Sequence, residues 1–371
     1  MEKKKISWIT PDSFLDTDLP VVKALSDVYE ITWIITIAHG KSQDDENFVR
    51  MQLKECKVDL SFYYFQSRIR SPKHFFEVLN LIKRLKRTNA ELYYLSESFL
   101  PFGVILYKHL LPLKKCIVPC HNVTTPKGAR KAWFASYYTH KWLNTFTNIQ
   151  IFSKCQCEEL KARYKGKNVL MTYFILKDYG QPTKEIRKEN LSYVRFLIFG
   201  NIIRYKRIDL LIAAAEELYN KGKRNFKVRI AGNCKNWAEE YAPLIKHPEI
   251  FELEIKRIPN EEVANLFVDS HYFVMPYQDI AQSGSMSVAF RYNLPTIVSD
   301  IPQFKEFVKD GETGYVFKTQ DSHALAEKMA WIIENHKSIY PNLCANQRQF
   351  VTDNMSLEAI TKKYITYFDK L

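Results

Sequence analysis

A short apolar run followed by a helix-length amphipathic segment recurs along this chain, stops once at a polar stretch, and then resumes. Ile6–Thr10, Ile31–Ile37, Val58–Phe65, Leu92–Leu95, Cys116–Pro119 and Ile149–Phe152 are rich in β-branched and aromatic residues and read as strands. Between them Leu19–Leu25, His74–Arg87, Pro101–Leu111, Ala132–Leu143 and Cys157–Tyr164 have helical spacing. The stretch Leu176–Asn190 is polar, holds Gly180 and Pro182 and has no period, so it reads as a linker. Strands then return at Tyr193–Phe199, Phe226–Ile230, Phe251–Glu254, Tyr272–Met275 and Thr296–Val298. Helices return at Ile208–Leu218, Glu262–Phe267, Ser285–Tyr292, Ala324–Ile333 and Leu357–Phe368. Such alternation predicts parallel sheets covered by helices on both faces. The 371 residues suit two domains of that kind. The expected division is an N-terminal domain over 1–180, a C-terminal domain over 191–350, and a last helix in 351–371 that packs back on the N-terminal domain. Ligands of these sheets sit beyond the carboxyl ends of the strands, which here means a cleft between the domains.

Charge narrows the partners. The formal net charge is +13, and residues 1–185 hold +11 of it. From Ser98 to Cys157 there is no Asp or Glu, whereas Lys108, Lys114, Lys115, Lys127, Arg130, Lys131, Lys141 and Lys154 all fall there. An acid-free basic stretch in one half of a chain points to an anionic partner surface. Mixed with Phe99, Leu100, Phe102, Trp133 and Phe134, it suits an anionic membrane better than nucleic acid, for which no motif is present. The N-terminus starts with charges and then a strand, without the apolar core of a signal peptide. The most apolar run, Phe99–Leu113, is broken by Pro101, Gly103, Lys108, His109 and Pro112, so it does not read as a membrane span. Seven cysteines without a pairing framework read as reduced thiols, and the expected location is cytoplasmic.

No dinucleotide fingerprint, phosphate-binding P-loop, zincin or nucleophile-elbow motif occurs, nor an Asp-x-Asp motif in a loop after a strand. Chemistry must come from loops that follow strands. The first is Phe199–Arg207, FGNIIRYKR: Gly200 permits close backbone approach, and Arg204, Lys206 and Arg207 supply charge at a helix start, where free amides attract anions. In the second, Pro276–Val288, Gln282, Ser283 and Gly284 open a helix and offer a second anion or hydroxyl site. The third, Val298–Tyr315, carries Glu306. In the first half His121 follows the strand CIVP, where it can meet a phosphate or a sugar hydroxyl.

Together these segments resemble the GT-B-fold glycosyltransferases of family 4, which have two Rossmann-like domains. FGNIIRYKRIDLL is similar to that family's strand–Gly–Arg…Lys–Gly segment, and NLPTIVSDIPQFKEFVKDGETGYVF to its Pro…Ser…Glu…Gly-x-x-Gly segment. The likeness is close over residues 193–335 and loose over 115–180. It implies a diphosphate contact for Lys206, a place near the transferred sugar for His121, and a donor-binding role for Glu306. The family's Arg falls at Asn201, and Arg204 stands near enough to substitute. Two family Glu residues fall at Ile280 and Val288; a subgroup with Gln-Ser-Gly in this loop fits Gln282, Ser283 and Gly284 instead.

The resemblance implies a retaining transferase that moves a hexose-type sugar from a nucleotide diphosphate sugar, with UDP or GDP as the nucleotide, and no metal or other cofactor. The implied acceptor is a saccharide or lipid-linked saccharide of bacterial surface polysaccharide synthesis, reached at the inner face of the plasma membrane. The missing Glu pair keeps a second reading open: an epimerase of the same fold or an inactive nucleotide-sugar-binding subunit.

Overall fold

Both sheets are wholly parallel among the described residues, and each changes winding direction once. The computed structural model describes residues 3–40, 44–100, 102–124, 132–184, 191–280 and 284–371. The chain divides into two compact units, one of residues 1–175 with 355–371 and the other of 176–354.

Unit 1 runs β1 (Lys5–Pro11), α1 (Leu15–Leu25), β2 (Glu30–Ile37), α2 (Asp44–Gln52), β3 (Val58–Tyr64), α3 (Pro72–Arg87), β4 (Leu92–Leu95) and α4 (Gly103–Leu110). It continues through β5 (Cys116–Cys120), α5 (Ala132–Thr145), β6 (Asn148–Ile151), α6 (Lys154–Arg163) and β7 (Asn168–Met171). The strand order is β3-β2-β1-β4-β5-β6-β7. Trp8 of β1 thus faces Trp33 of β2 on one side and Tyr94 of β4 on the other. The chain winds outward from β1 to β3, returns to β4 beside β1, and winds the other way; β1 and β4 flank the switch point.

Two apolar layers cover this sheet. One gathers Val78, Leu81, Ile82 and Leu85 of α3 with residues of α4, α5 and α6. The other gathers α1, α2 and the C-terminal helix. α3 starts cleanly because Pro72 suits its first turn and the Ser71 hydroxyl accepts from the Lys73 amide at 3.3 Å.

Unit 2 runs β8 (Val194–Phe199), α7 (Ile208–Asn220), β9 (Phe226–Ala231), α8 (Trp237–Glu240), β10 (Phe251–Glu254), α9 (Asn260–Val268), β11 (Tyr272–Met275) and α10 (Gly284–Arg291). Next come β12 (Thr296–Ser299), α11 (Pro302–Lys305), β13 (Gly314–Phe317) and α12 (Ser322–Met355); α13 (Leu357–Phe368) then returns to unit 1. The order β10-β9-β8-β11-β12-β13 puts the switch point between β8 and β11. This doubly wound pair of sheets is the expected two-Rossmann GT-B architecture.

Residues 176–184 form no helix or strand but are tied to the rest of unit 2. The Lys177 amide donates to Ser287 Oγ at 2.7 Å, Tyr179 N to the Tyr292 hydroxyl at 3.0 Å, and Asp178 pairs with Arg291 at 2.6 Å. Helix α12 is far longer than its apolar spacing predicts. Beyond Ile333 it continues through Pro341, anchored by buried Leu343, Gln347 and Met355, with Gln347 Nε2 donating to the Leu294 carbonyl at 3.1 Å. Few apolar residues mark that part, so periodicity alone stops short.

α13 completes the unit 1 core. Its Tyr364 hydroxyl accepts from Gln150 Nε2 at 2.6 Å, Gln150 Oε1 accepts from the Tyr94 hydroxyl, and Trp8 stacks on Tyr94 at 3.7 Å. Replacing this buried ring, Tyr364→Ala, should destabilise unit 1 by about 3–5 kcal/mol through lost contacts and one lost amide hydrogen bond, the other Gln150 Nε2 bond going to Thr172 Oγ1 at 2.8 Å. Tyr364→Phe should cost about 1–3 kcal/mol. Denaturant unfolding of the full chain checks both; equal stability of Tyr364→Ala and parent would refute the packing role.

Candidate functional site

The site in unit 2 forms where β8 and β11 part. β8 ends at Phe199, and Gly200 follows with φ +99°, a conformation open to glycine. A Cβ there would lie 2.9 Å from Lys206 Nζ and 3.6 Å from Ser285 Oγ. Gly232, after neighbouring β9, presses against it from below: a Cβ at Gly232 would sit 2.1 Å from the Gly200 carbonyl oxygen. Both glycines are therefore sterically required.

A 3₁₀ turn at Arg204–Lys206 then folds the chain back. Arg207 holds the turn in the left-handed region (φ 50°), and its guanidinium grips Asp209 at 2.8 Å in the first turn of α7. The result is to drive Lys206 inward until it is 6% exposed. Its ammonium donates to the Phe199 carbonyl at 3.1 Å and lies 5.7 Å from the Tyr277 ring centre. Among the described residues that carbonyl is its one hydrogen-bond acceptor, and no carboxylate pairs with it. Burial lowers its pKa to about 8.

The walls come from the loop after β11 and the start of α10. Gln278 N donates to the Tyr205 carbonyl at 2.8 Å, fastening this loop to the lysine turn. Tyr277 is buried, packs edge-on to Tyr205, and its hydroxyl lacks a hydrogen-bond partner of standard geometry; the Ser285 hydroxyl lies close enough only to ease the upward shift that burial imposes on the phenol. Lys206, Tyr277, Gly284, Ser285, Lys177 and Tyr179 line a pocket of about 230 Å³. Nothing lies within 4 Å of a Cβ built on Gly284, so a ligand can approach the α10 backbone closely.

Each sequence-derived candidate has a definite place. Gly200, Lys206 and Gly284 meet in this pocket. Gln282 and Ser283 lie outside the described residues. Arg204 is not part of it: its side chain is 91% exposed, 4.0 Å from Glu240, and lines a separate pocket of about 540 Å³ with Asn201, Asn233 and Asn236. Glu306 caps α11 and is half-buried. Ile280 and Val288 line the lysine pocket with apolar side chains.

His121, in unit 1, sits in a flat aromatic stack. Its ring lies 4.5 Å from Phe14 and 5.0 Å from Phe152, each tilted by 6°, and Phe152 stacks on Phe174. Burial lowers its pKa to about 4, so the imidazole is neutral at physiological pH, and its Nε2 has no hydrogen-bond partner among the described residues. Gln156 clamps the loop, donating to the His121 carbonyl at 3.0 Å and accepting from Val123 N at 3.0 Å.

Sequence reasoning missed a second cavity, of about 890 Å³, at the switch point between β1 and β4. Glu97 stands on its wall. Thr36 Oγ1 donates to Glu97 Oε2 at 3.1 Å and Phe99 N to Oε1 at 3.2 Å, while burial raises the carboxyl pKa. Asp12, His39, Arg68 and Arg70 also line the cavity. The only signal in sequence was position: Glu97 is the last acid before the acid-free stretch, just beyond a strand. Tyr277 and Ser285 were likewise inside a recognised loop without being singled out. Among the described residues, no group of three or more His, Cys, Asp or Glu side chains could hold a metal ion. No helix of the described residues is long and apolar enough to cross a membrane.

Lys206 has a stability cost with a definite sign. Its folded pKa lies below the unfolded value, so the charged form destabilises the fold at low pH, and the cost fades as pH rises from about 8 towards 10.5. Lys206→Met should therefore stabilise unit 2 below pH 8 by up to about 3 kcal/mol, and much less near pH 10.5. Denaturant unfolding at both pH values checks this; a destabilised Lys206→Met protein at pH 7 would refute it.

Known proteins share the fold. Residues 182–349 match the family described as glycosyl transferases group 1. No curated protein matches the chain. Among solved structures, it is similar to a glycosyltransferase from Rickettsia africae (TM-score 0.74, 16% identity, covering 100% of this chain and 99% of that one). Anabaena HepE, solved in complex with UDP and glucose, gives TM-score 0.71 at 11% identity over 99% and 100%. Sucrose-phosphate synthase from Thermosynechococcus elongatus gives 0.72 at 14% identity over 99% of each chain. The second unit thus carries a glycosyl transferases group 1 domain, and the whole chain has the GT-B fold of glycosyltransferases.

Proposed function

We propose that this protein is a retaining, metal-independent glycosyltransferase. In this reading it moves a hexose-type sugar from a nucleotide diphosphate sugar, UDP- or GDP-linked, to a saccharide or lipid-linked saccharide acceptor. The process it serves is bacterial surface polysaccharide synthesis, at the cytoplasmic face of the plasma membrane, with the basic first half turned to anionic lipid. The observation that carries this is the buried Lys206 ammonium, held beneath Gly200 with donors to spare and facing the N-terminus of α10. An ammonium desolvated without a carboxylate partner is costly to the fold and suited to a ligand's negative charge. UDP as the nucleotide is supported by HepE, a protein of the same fold solved with UDP.

In the proposed step the bond between the sugar C1 and the diphosphate oxygen breaks, and its electron pair leaves with the nucleotide diphosphate. Lys206 and the amide at Gly284 stabilise that growing charge, while the Gly200 amide is held by the Ala231 carbonyl at 2.9 Å. Ser285 adds a hydroxyl beside them, and Gln282 and Ser283 belong to the same loop, while Arg204 takes no part. The acceptor hydroxyl attacks C1 on the face the diphosphate leaves and passes its proton to the departing phosphate oxygen. His121, neutral and flat, orients the sugar without exchanging a proton, and Glu306 binds donor hydroxyls. Ile280 and Val288 on the pocket wall favour one second reading, an epimerase of this fold or an inactive binding subunit.

A panel of radiolabelled UDP- and GDP-sugars with cellular glycan acceptors separates these readings. We expect one donor to be consumed with retained anomeric configuration, unaffected by EDTA, and Lys206→Ala to lower turnover about 10²–10³-fold. Turnover of Lys206→Ala equal to the parent would refute the phosphate assignment. Donor binding with no transfer would favour the inactive subunit, and inversion at a ring carbon of the free nucleotide sugar the epimerase.

A further inference from the structure

Helices packed on a sheet turn a polar stripe to water. Helices α3, α4 and α5, side by side on one face of the unit 1 sheet, depart from that rule. Phe76 of α3 is 60% exposed, Ile105 of α4 61%, and Trp133 of α5 75%, with Tyr137 one turn further on also exposed. All four lie in the first two turns of their helices. In a parallel sheet those turns stand at the carboxyl edge of the strands, so the side chains gather along one rim. Loops at the same edge, after β3 and β4, add exposed Ile69 and Leu100, and both line the 890 Å³ cavity.

Further along the same helices the outward residues include cations and no exposed acid: Lys83, Arg84 and Arg87 on α3, Lys108 on α4, and Lys141 on α5, whose ammonium lies 5.6 Å from the Tyr137 ring. Helices α4 and α5 contain no acid, and the one acid of α3, Glu77, is turned to Ser67 and the Gln66 amide. An apolar rim backed by cations has one complement. Trp and Tyr suit headgroup depth, aliphatic chains suit the acyl boundary, and Lys and Arg suit anionic headgroups. A second copy of the chain would bring like charge to like charge. Nucleic acid would leave Ile69, Leu100 and Ile105 without a partner at the rim.

We propose that this rim is a bilayer-docking surface that seats in an anionic membrane and opens the unit 1 cavity at the lipid boundary. Resting on the transferase reading, the cavity then receives the saccharide head of a lipid-linked acceptor while its lipid stays in the bilayer. Ile69 and Leu100 mark the side by which that acceptor enters.

The test uses the full chain with vesicles of phosphatidylcholine, with and without phosphatidylglycerol. The parent should float with the anionic vesicles and be released by high salt. The combined Phe76→Ser, Ile105→Ser and Trp133→Ser variant should lose at least about tenfold in partitioning while its thermal shift with UDP is unchanged. Brominated lipid should quench Trp133, and also a tryptophan introduced as Leu100→Trp at the cavity mouth. Equal flotation with neutral vesicles, flotation of the triple variant like the parent, or no quenching would overturn the proposal. So would loss of RNA binding or of a dimer, rather than of vesicle binding, in the triple variant. A parent that floats but shows no UDP shift and no donor turnover would instead defeat the transferase reading and leave the docking surface standing.

Discussion

A lysine ammonium buried with no counter-ion among the described residues is the constraint around which unit 2 is arranged. Lys206 reaches its position only because Gly200 has no side chain, because Gly232 lets the β8 and β9 ends close up, and because Arg207 accepts a left-handed backbone to finish the turn. Tyr277 covers the ammonium with a ring face, and the Phe199 carbonyl takes one of its protons. None of this neutralises the charge. A fold that keeps such a group gives up stability at physiological pH, and in the proposed function the compensation is an anion site with its reorganisation already complete.

The two units obey one topological rule and use it with opposite charge. In each, the strands diverge at a single switch point, and the gap beyond their carboxyl ends is a pocket. Unit 2 places a desolvated cation there and unit 1 a desolvated carboxyl, Glu97, held by Thr36 and the Phe99 amide. A cation suits phosphate; a carboxyl that already accepts two hydrogen bonds suits hydroxyl groups more than phosphate. The proposed donor and acceptor chemistries thus differ in electrostatics before any ligand is considered. His121 belongs to neither extreme. Its stack of Phe14, Phe152 and Phe174 removes the proton and leaves a flat neutral donor.

Much of this was legible in the chain because it depends on local pattern. The doubly wound fold follows from β-branched runs alternating with amphipathic segments, and Gly200 and Lys206 followed from a strand ending in Gly and a basic turn. What sequence could not resolve was direction. FGNIIRYKR offers three cations, and no spacing rule tells that Lys206 points in, that Arg207 is consumed by Asp209, and that Arg204 stands in water beside Glu240. That ordering comes from a single left-handed residue. α2 escaped notice because DDENFVRMQ is mostly polar, and α12 outran its apolar period because Gln347 anchors it with a hydrogen bond. Glu97 was invisible for a related reason: its role arises from burial at a strand crossing, which joins β1 to β4 across eighty residues of sequence.

The excess charge of the first half acquires a physical meaning only with the helices in place. A basic stretch spread around a domain would raise solubility and little else. Here Lys83, Arg84, Arg87, Lys108 and Lys141 lie on the outward sides of three adjacent helices, and the exposed apolar residues lie at one end, beside the cavity. Water penalises each exposed Phe, Ile or Trp, and α3, α4 and α5 each retain one in the same two turns. The covered faces of these helices are already filled by Leu81, Leu85, Tyr107 and Leu143, so the outward residues are not spare core. Under the proposed docking, their alignment with the cavity mouth would couple two properties that could have been placed independently: where an acceptor is held and where a lipid surface is met. An acceptor that is itself part lipid would remove any distinction between the two, because the same approach that buries the rim would deliver the substrate.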